Sequence, residues 1–237
     1  MHVLRPLILV SFLLLTSYSF SKATPKATLE DTLRTVSFNP YGTGAGFSLL
    51  LTNSGFGVGG YYRQAISRRV SLLAEFSIGS GKDEKEQKFI TFFGQSVIPN
   101  KKNYLLILPV HVGIQHRVFA ESIRENFRPY IQVSGGPVLG WVSPYFRDEN
   151  GNGRRDPQEK IYDSIGALPK GQARFGVGGT FALGAFFGFS KRTTQGIRMG
   201  YTFVYFTREV QLMETHIRPP QHFFGTPFIS LVFGRIW

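Results

Sequence analysis

The chain has 237 residues, among them 23 Phe, 10 Tyr, 2 Trp and 27 Gly, with no Cys and only 18% charged side chains. An average soluble domain carries about 25% charge, and here 27 Lys and Arg face 15 Asp and Glu, a net charge of +12. The missing Cys excludes a disulfide scaffold, Cys-ligated metal and thiol catalysis, while a mean hydropathy of −0.05 with one N-terminal apolar run excludes a bundle of membrane helices.

Residues 1–23 read as a secretory signal peptide. Arg5 supplies the positive start, Leu7 to Leu15 the apolar stretch, and Ser21 and Ala23 the small residues before a cleavage point. The run is too short to cross ~30 Å of hydrocarbon as a helix. Its removal would take Arg5 and Lys22 and lower the net charge to +10. Residues 24–42 follow as a periplasmic extension, and 43–237 as one folded domain.

From residue 43 the pattern has period two. Strands are expected over 43–51, 56–65, 70–79, 104–117, 128–143, 172–189, 196–206 and 224–237. In the third, Leu72, Ala74, Phe76 and Ile78 alternate with Ser71, Glu75 and Ser77. In the sixth, Phe175, Val177, Phe181, Leu183 and Phe187 alternate with Arg174, Gly176, Gly178, Thr180 and Ala182. Ordinary globular strands run about 5–6 residues; several of these are far longer. Pro109 and Pro137 lie within two of them, where a missing N–H calls for a bulge or a break.

The composition of the two faces selects the kind of barrel. A soluble ligand carrier turns its apolar face inward and shows a charged exterior. Here the face opposite the aromatics is made of Gly, Ser and Thr with isolated charges, too small and too weakly polar for a solvated surface. A membrane barrel has the inverse arrangement, with aromatics toward lipid and small or polar residues inside. Backbone groups in lipid must all be paired, so the sheet has to close. The expected fold is therefore all-β: a closed antiparallel up-and-down transmembrane β-barrel of eight strands. The connections 66–69, 118–127 and 190–195 are the shorter ones. The connections 80–103, 144–171 and 207–223 are longer, with 52–55 as the exception, which matches short periplasmic turns and long outer loops.

Two segments carry a resemblance. Phe228 to Trp237 ends the chain on an aromatic, with Ile229, Leu231 and Phe233 on one face and Arg235 departing from the pattern. It looks like the C-terminal signal by which outer-membrane proteins reach the barrel-assembly machinery. Tyr104 to Ile114, with Pro109 inside it, is similar to a strand of small barrels in Bacteroidota-type outer membranes, although Leu108 is one residue extra. The chain thus resembles small eight-stranded outer-membrane barrel proteins. That resemblance implies the outer membrane of a Gram-negative-type bacterium, contact with outer-membrane lipid and lipopolysaccharide, and delivery through the strand ending at Trp237. It names no activity, because such barrels include adhesins, lipid-modifying enzymes and secretion components.

The sharpest local motif is the run 148–159. Asp148, Asn150, Asn152, Asp156 and Glu159 place oxygen donors at loop positions 1, 3, 5, 9 and 12, Gly153 stands at the turn, and Arg154 would offer its carbonyl. That spacing wraps Ca²⁺ in oxygen ligands. An acidic Asn-Gly turn is the plainer alternative; Pro144 and Pro157 deny the loop helical flanks, and Arg147, Arg154 and Arg155 oppose a cation. Glu75, Arg174 and Arg198, all on inward-facing positions, predict an interior polar network that plugs the bore, since an eight-stranded interior is just wide enough for side chains to fill.

Catalysis has little support. His111, His116, His216 and His222 stand at no triad spacing with a Ser, and His216 and His222 are expected to be solvated loop residues rather than a metal pair. The Lys and Arg pairs fall in connections with no basic face interleaved by aromatics, which argues against nucleic acid and for anionic lipid headgroups. The functional expectation is a filled outer-membrane barrel acting structurally or through its outer loops on an unidentified partner. The alternatives are an outer-membrane lipid-modifying enzyme and a soluble periplasmic barrel carrying an apolar ligand.

Overall fold

A computed structural model describes residues 42–90, 92, 94, 96–119, 126–188 and 193–237. The readings made on 1–23 and on all but the last residue of 24–42 fall outside them. The strands in chain order are β1 (Gly44–Thr52), β2 (Gly55–Ala65), β3 (Val70–Gly81), β4 (Phe89–Ile90), β5 (Ser96–Val97), β6 (Asn103–Arg117), β7 (Phe127–Pro144), β8 (Gln172–Phe187), β9 (Thr193–Val210) and β10 (Gln221–Ile236). A short 3₁₀ turn, Leu168–Lys170, precedes β8.

Eight of these strands close into an antiparallel ring in the order β1-β10-β9-β8-β7-β6-β3-β2, and β4 and β5 form a separate two-stranded ribbon in the β3–β6 connection. The seam joins β1 to β10 in one unbroken register, from Gly44 opposite Ile236 to Thr52 opposite Phe228. Trp237 then donates its backbone N–H to Thr43 O at 2.9 Å. Closure joins the first strand to the last, so the ring has no free edge strand, the condition for a sheet in hydrocarbon. Gly46 lets the seam strands approach: a Cβ there would lie 2.0 Å from Phe233 O.

Alternation places many of the strands' aromatics outside. Phe47, Phe56, Phe76, Val112, Phe175, Val177, Phe181, Phe203 and Leu231 are all exposed, forming an apolar coat that a soluble surface does not show at this extent. Ser48, Gln115, Gln132, Ser134, Thr180 and Ser230 point inward and are buried.

The two prolines interrupt the ladder without shifting it. Pairing of β3 with β6 skips Ser77 and Ile78 opposite Leu108 and Pro109, then resumes at Gly79–Ile107 in the same register. Pairing of β6 with β7 likewise skips Val110 and His111 opposite Gly136 and Pro137. They are breaks, not bulges. Among the described residues a displaced register lies at the outer end of β9 and β10, between Gln221 and Phe223.

The interior is stratified, which the face pattern did not predict. Toward the long connections it is apolar, with Leu105, Val138, Val204, Phe206, Val210, Leu212 and Phe224 packed together. A polar layer crosses the middle. Toward the short connections, Tyr130, Phe186 and Val232 pack with Tyr61, and Arg63, Arg68, Arg69, Arg117 and Arg128 gather around a small hollow.

Candidate functional site

The polar layer is built by side chains from opposite walls. β3 and β9 stand four places apart in the ring whichever way it is followed, so Glu75 and Arg198 meet across the full bore. Arg198 Nη1 lies 2.6 Å from Glu75 Oε2. Ser134 Oγ donates to Glu75 Oε1 at 2.6 Å, and Gln132 Nε2 donates to the same oxygen at 3.0 Å. Arg198 Nη1 also donates to Gln132 Oε1 at 3.1 Å, and its guanidinium sits 5.4 Å from the Phe228 ring centre. A carboxylate and a guanidinium are tolerable here because each is paired and further hydrogen-bonded. His111 lies opposite Glu75 in the register, and its Nδ1 is 3.4 Å from Thr180 Oγ1, which is 3.0 Å from Thr202 Oγ1.

Arg174 does not join this layer, contrary to the sequence reading. It sits near the outer end of β8, opposite Gly140, and its guanidinium donates to Gln172 Oε1 at 3.1 Å and Ala173 O at 3.2 Å. Inward-facing parity groups the three residues by face. It carries no information about height along the bore, and Arg174 is too far toward the rim.

Above the bore the long connections knit into a cap. Lys102 and Asn103 donate backbone N–H groups to Leu212 O, Glu214 to Asn100 O, Tyr145 to Lys102 O, and Tyr162 to Tyr145 O. Isolated bridges pair Lys101 with Met213 and Phe146 with Ile161. At the centre, Lys101 Nζ meets Glu86 Oε2 at 2.5 Å, their side chains only 6% and 2% exposed. Lys101 also lies 4.9 Å from the Tyr104 ring centre, and Tyr104 packs edge-on against Tyr145. The sequence reading missed this pair. Charged residues in long loops look solvated, and only the folding of one loop over another buries them.

The 148–159 loop belongs to this cap and organises itself through side-chain oxygens. Asp148 Oδ2 accepts the Gly153 N–H at 2.9 Å, Asn150 Oδ1 that of Asn152 at 3.0 Å, and Asn152 Oδ1 that of Arg154 at 2.7 Å. Glu159, buried, accepts from the Glu149 and Asp156 backbone at 3.0 and 2.9 Å, and Asn150 Nδ2 donates to Asp156 Oδ2. Gly151 and Gly153 both have φ of +71°, the left-handed conformation glycine adopts without strain. Among the described residues, no three His, Asp or Glu side chains converge as a metal-holding group. His216 and His222 are engaged separately, with Glu214 at 3.4 Å and Glu209 at 3.6 Å.

A ring without edges, an apolar coat and a bore crossed by an ion pair leave one architecture. The chain is an eight-stranded barrel of outer-membrane type. No protein-family model matches it, and no curated protein matches it. Among solved structures it is similar to the N-terminal β-barrel domain of Pseudomonas aeruginosa OprF, at 9% identity and a TM-score of 0.40 over 82% of this chain and 97% of that one. It is similar also to Neisserial surface protein A (10%, 0.39, 82% and 93%). Ail, the attachment invasion locus protein of Yersinia pestis, gives 11% and 0.38 over 81% of this chain and 95% of that one. At these scores the barrel assignment rests on the chain's own geometry.

Proposed function

We propose that this barrel is exported by the 1–23 segment, resides in the outer membrane of a Gram-negative-type bacterium, and acts through its outer cap rather than as a channel. The observation that carries the reading is the cap itself: three long connections paired to one another above a bore blocked by Glu75 and Arg198. Backbone pairing between loops, with a buried ion pair at its centre, presents a defined surface instead of a set of independent loops. Long connections lie outside and short turns face the periplasm. The strand ending at Trp237 serves as the assembly signal, and the basic connections meet lipid and lipopolysaccharide phosphates.

The orientation is tested by single cysteines, which the native chain lacks. Asn152→Cys on intact cells reacts with a membrane-impermeant maleimide, whereas Ser67→Cys reacts only after permeabilisation. Labelling of Ser67→Cys alone on intact cells, or equal labelling of both, would show the orientation to be wrong.

The 148–159 loop is proposed as a Ca²⁺ site that stiffens the cap. Support comes from the spacing of Asp148, Asn150, Asn152, Asp156 and Glu159 around Gly153, and from a backbone already wound about their side chains, with Arg154 O at the carbonyl position. Binding falls in the roughly 10⁻⁴–10⁻³ M class of extracellular modules. Calorimetry with CaCl₂ gives saturable heat for the wild type and none for Asp148→Ala; indistinguishable traces remove calcium from the reading.

A further inference from the structure

Charge is divided unevenly between the two ends of the barrel. Among the described residues, every Asp and Glu except Glu75 lies in or beside the long connections. At the opposite end Arg63, Arg68, Arg69, Arg117 and Arg128 share one hollow with Ser71, and no Asp or Glu is in its lining. The neighbouring segments do not redress the balance. By sequence, 24–42, 118–127 and 190–195 bring Lys26, Arg34, Arg124, Lys191 and Arg192 against Glu30, Asp31, Glu121 and Glu125. Arg235 offsets the terminal carboxylate of Trp237. Whatever contacts each arginine makes within the chain, this end keeps an excess of positive charge.

The fold holds the arginines in place. In the 66–69 turn, Ile66 and Ser67 donate backbone N–H groups to Val70 O at 3.0 Å. Ser67 Oγ accepts from the Arg69 and Val70 N–H groups at 3.3 and 3.0 Å. Arg117 N–H donates to Arg69 O at 2.7 Å, which ties this turn to the end of β6. In register, Arg117 stands opposite Tyr130 and Arg128 opposite Phe186, and those two rings stack with centres 4.6 Å apart to floor the hollow. Arg63 lies over the Phe186 ring at 4.9 Å, and Arg63 and Arg128 are both buried. Like charges crowded at the mouth of a bore repel one another, and an anion set among them reverses the sign of that energy. Their planar forks match the edge of a carboxylate.

Size and direction select the anion. The space is about 20 Å³, where one water needs ~10–15 Å³, so it seats the two oxygens of a carboxylate better than the four of a phosphate. Arg63, Ser71, Gln115 and Arg128 are buried, inward-facing side chains, so the hollow is entered along the barrel axis and not from the lipid side of the wall. Arg68 and Arg69, exposed on their turn, extend the positive surface outward for further carboxylates.

We propose that this mouth binds an acidic peptide segment, with one carboxylate seated in the hollow and its neighbours on Arg68 and Arg69. That the peptide comes from the periplasm rests on the orientation proposed above; the site itself does not.

The test uses the full folded barrel in phosphatidylcholine nanodiscs, which leave both ends in solution, and the fluorescence anisotropy of a fluorescein-labelled hexaglutamate peptide. The wild type binds it saturably. Arg68→Gln/Arg69→Gln, on an exposed turn, weakens binding on the order of tenfold through lost charge-assisted hydrogen bonds. Arg128→Lys keeps the charge but not the fork and weakens binding several-fold. Heat-modifiable gel migration stays that of the folded barrel in both. Lys160→Gln/Arg208→Gln removes the same charge from the opposite end and leaves binding unchanged. Equal losses in the two double variants would mean that net charge alone attracts the peptide, and either this or an absence of saturable binding overturns the site. At matched ionic strength, acetate displaces the peptide at least as well as inorganic phosphate or monomeric dihexanoylphosphatidylglycerol does. Stronger displacement by either phosphate compound makes a phosphate the occupant and overturns the choice of a carboxylate. A reversed orientation, read at Ser67→Cys, would change the compartment of the partner and leave binding in nanodiscs intact.

Discussion

Glu75→Ala lowers the unfolding free energy of the barrel by about 3–5 kcal/mol, the usual cost of stranding one member of a buried ion pair. The variant leaves Arg198 in the middle of the bore with Gln132 Oε1 as its remaining polar partner and the Phe228 ring beside it. The loss is therefore an orphaned charge, not a small cavity. The two causes separate cleanly. Glu75→Gln keeps acceptor capacity toward Ser134 and Gln132 and costs less than the alanine change. Glu75→Leu/Arg198→Met removes both charges at similar volume and recovers most of the loss, because replacing a buried pair by apolar side chains is often neutral or better. Urea titration of barrels refolded into lipid vesicles, read by the shift between heat-modified and folded gel bands, measures all three. A double variant as unstable as Glu75→Ala would mean that shape, and not charge, holds the bore closed.

Lys101→Met produces an effect of similar origin but different reach. Glu86 would keep the Asp83 backbone N–H at 3.1 Å while losing its one charged contact among the described residues. The cost falls on the cap, since the barrel ladder does not run through either side chain. The 82–100 connection then opens, and trypsin cuts at Lys82, Lys85 or Lys88 faster by on the order of a hundredfold, the factor corresponding to about 3 kcal/mol of local opening. The urea midpoint of the barrel stays where it was. Lys101→Arg keeps the charge and largely keeps protection, and Lys101→Met/Glu86→Leu restores it. An unchanged cleavage rate in Lys101→Met, or a fall in the barrel midpoint of the same size, would detach the pair from the cap.

These two sites were not equally visible in the sequence. Glu75 and Arg198 stand out because a strand has period two, and a charge at an inward position among Gly, Ser and Thr is conspicuous. The same argument picked Arg174, whose place at the rim it had no means to detect. Lys101 and Glu86 offered no signal at all, lying in a long polar connection where charges are ordinary. The prolines were legible as interruptions. That they break the ladder without changing register depends on neighbouring strands that hold the pairing on either side, which is a property of the closed sheet.

By itself the sequence determined the strand periodicity, the outward placement of many of the Phe and Tyr, the parity of eight and the class of barrel. All of these follow from a side-chain repeat of two and from the requirement that backbone groups in lipid be paired. Tertiary structure alone decided which inward residues meet, since contact across a bore depends on strand stagger and on height as well as face. It also decided which loop charges are buried, Lys101 and Glu86 among them. The opening composition of abundant Phe, Tyr and Gly with few charges is thus the record of a coat and a lining, and the interior it encloses is layered by registers that no single strand contains.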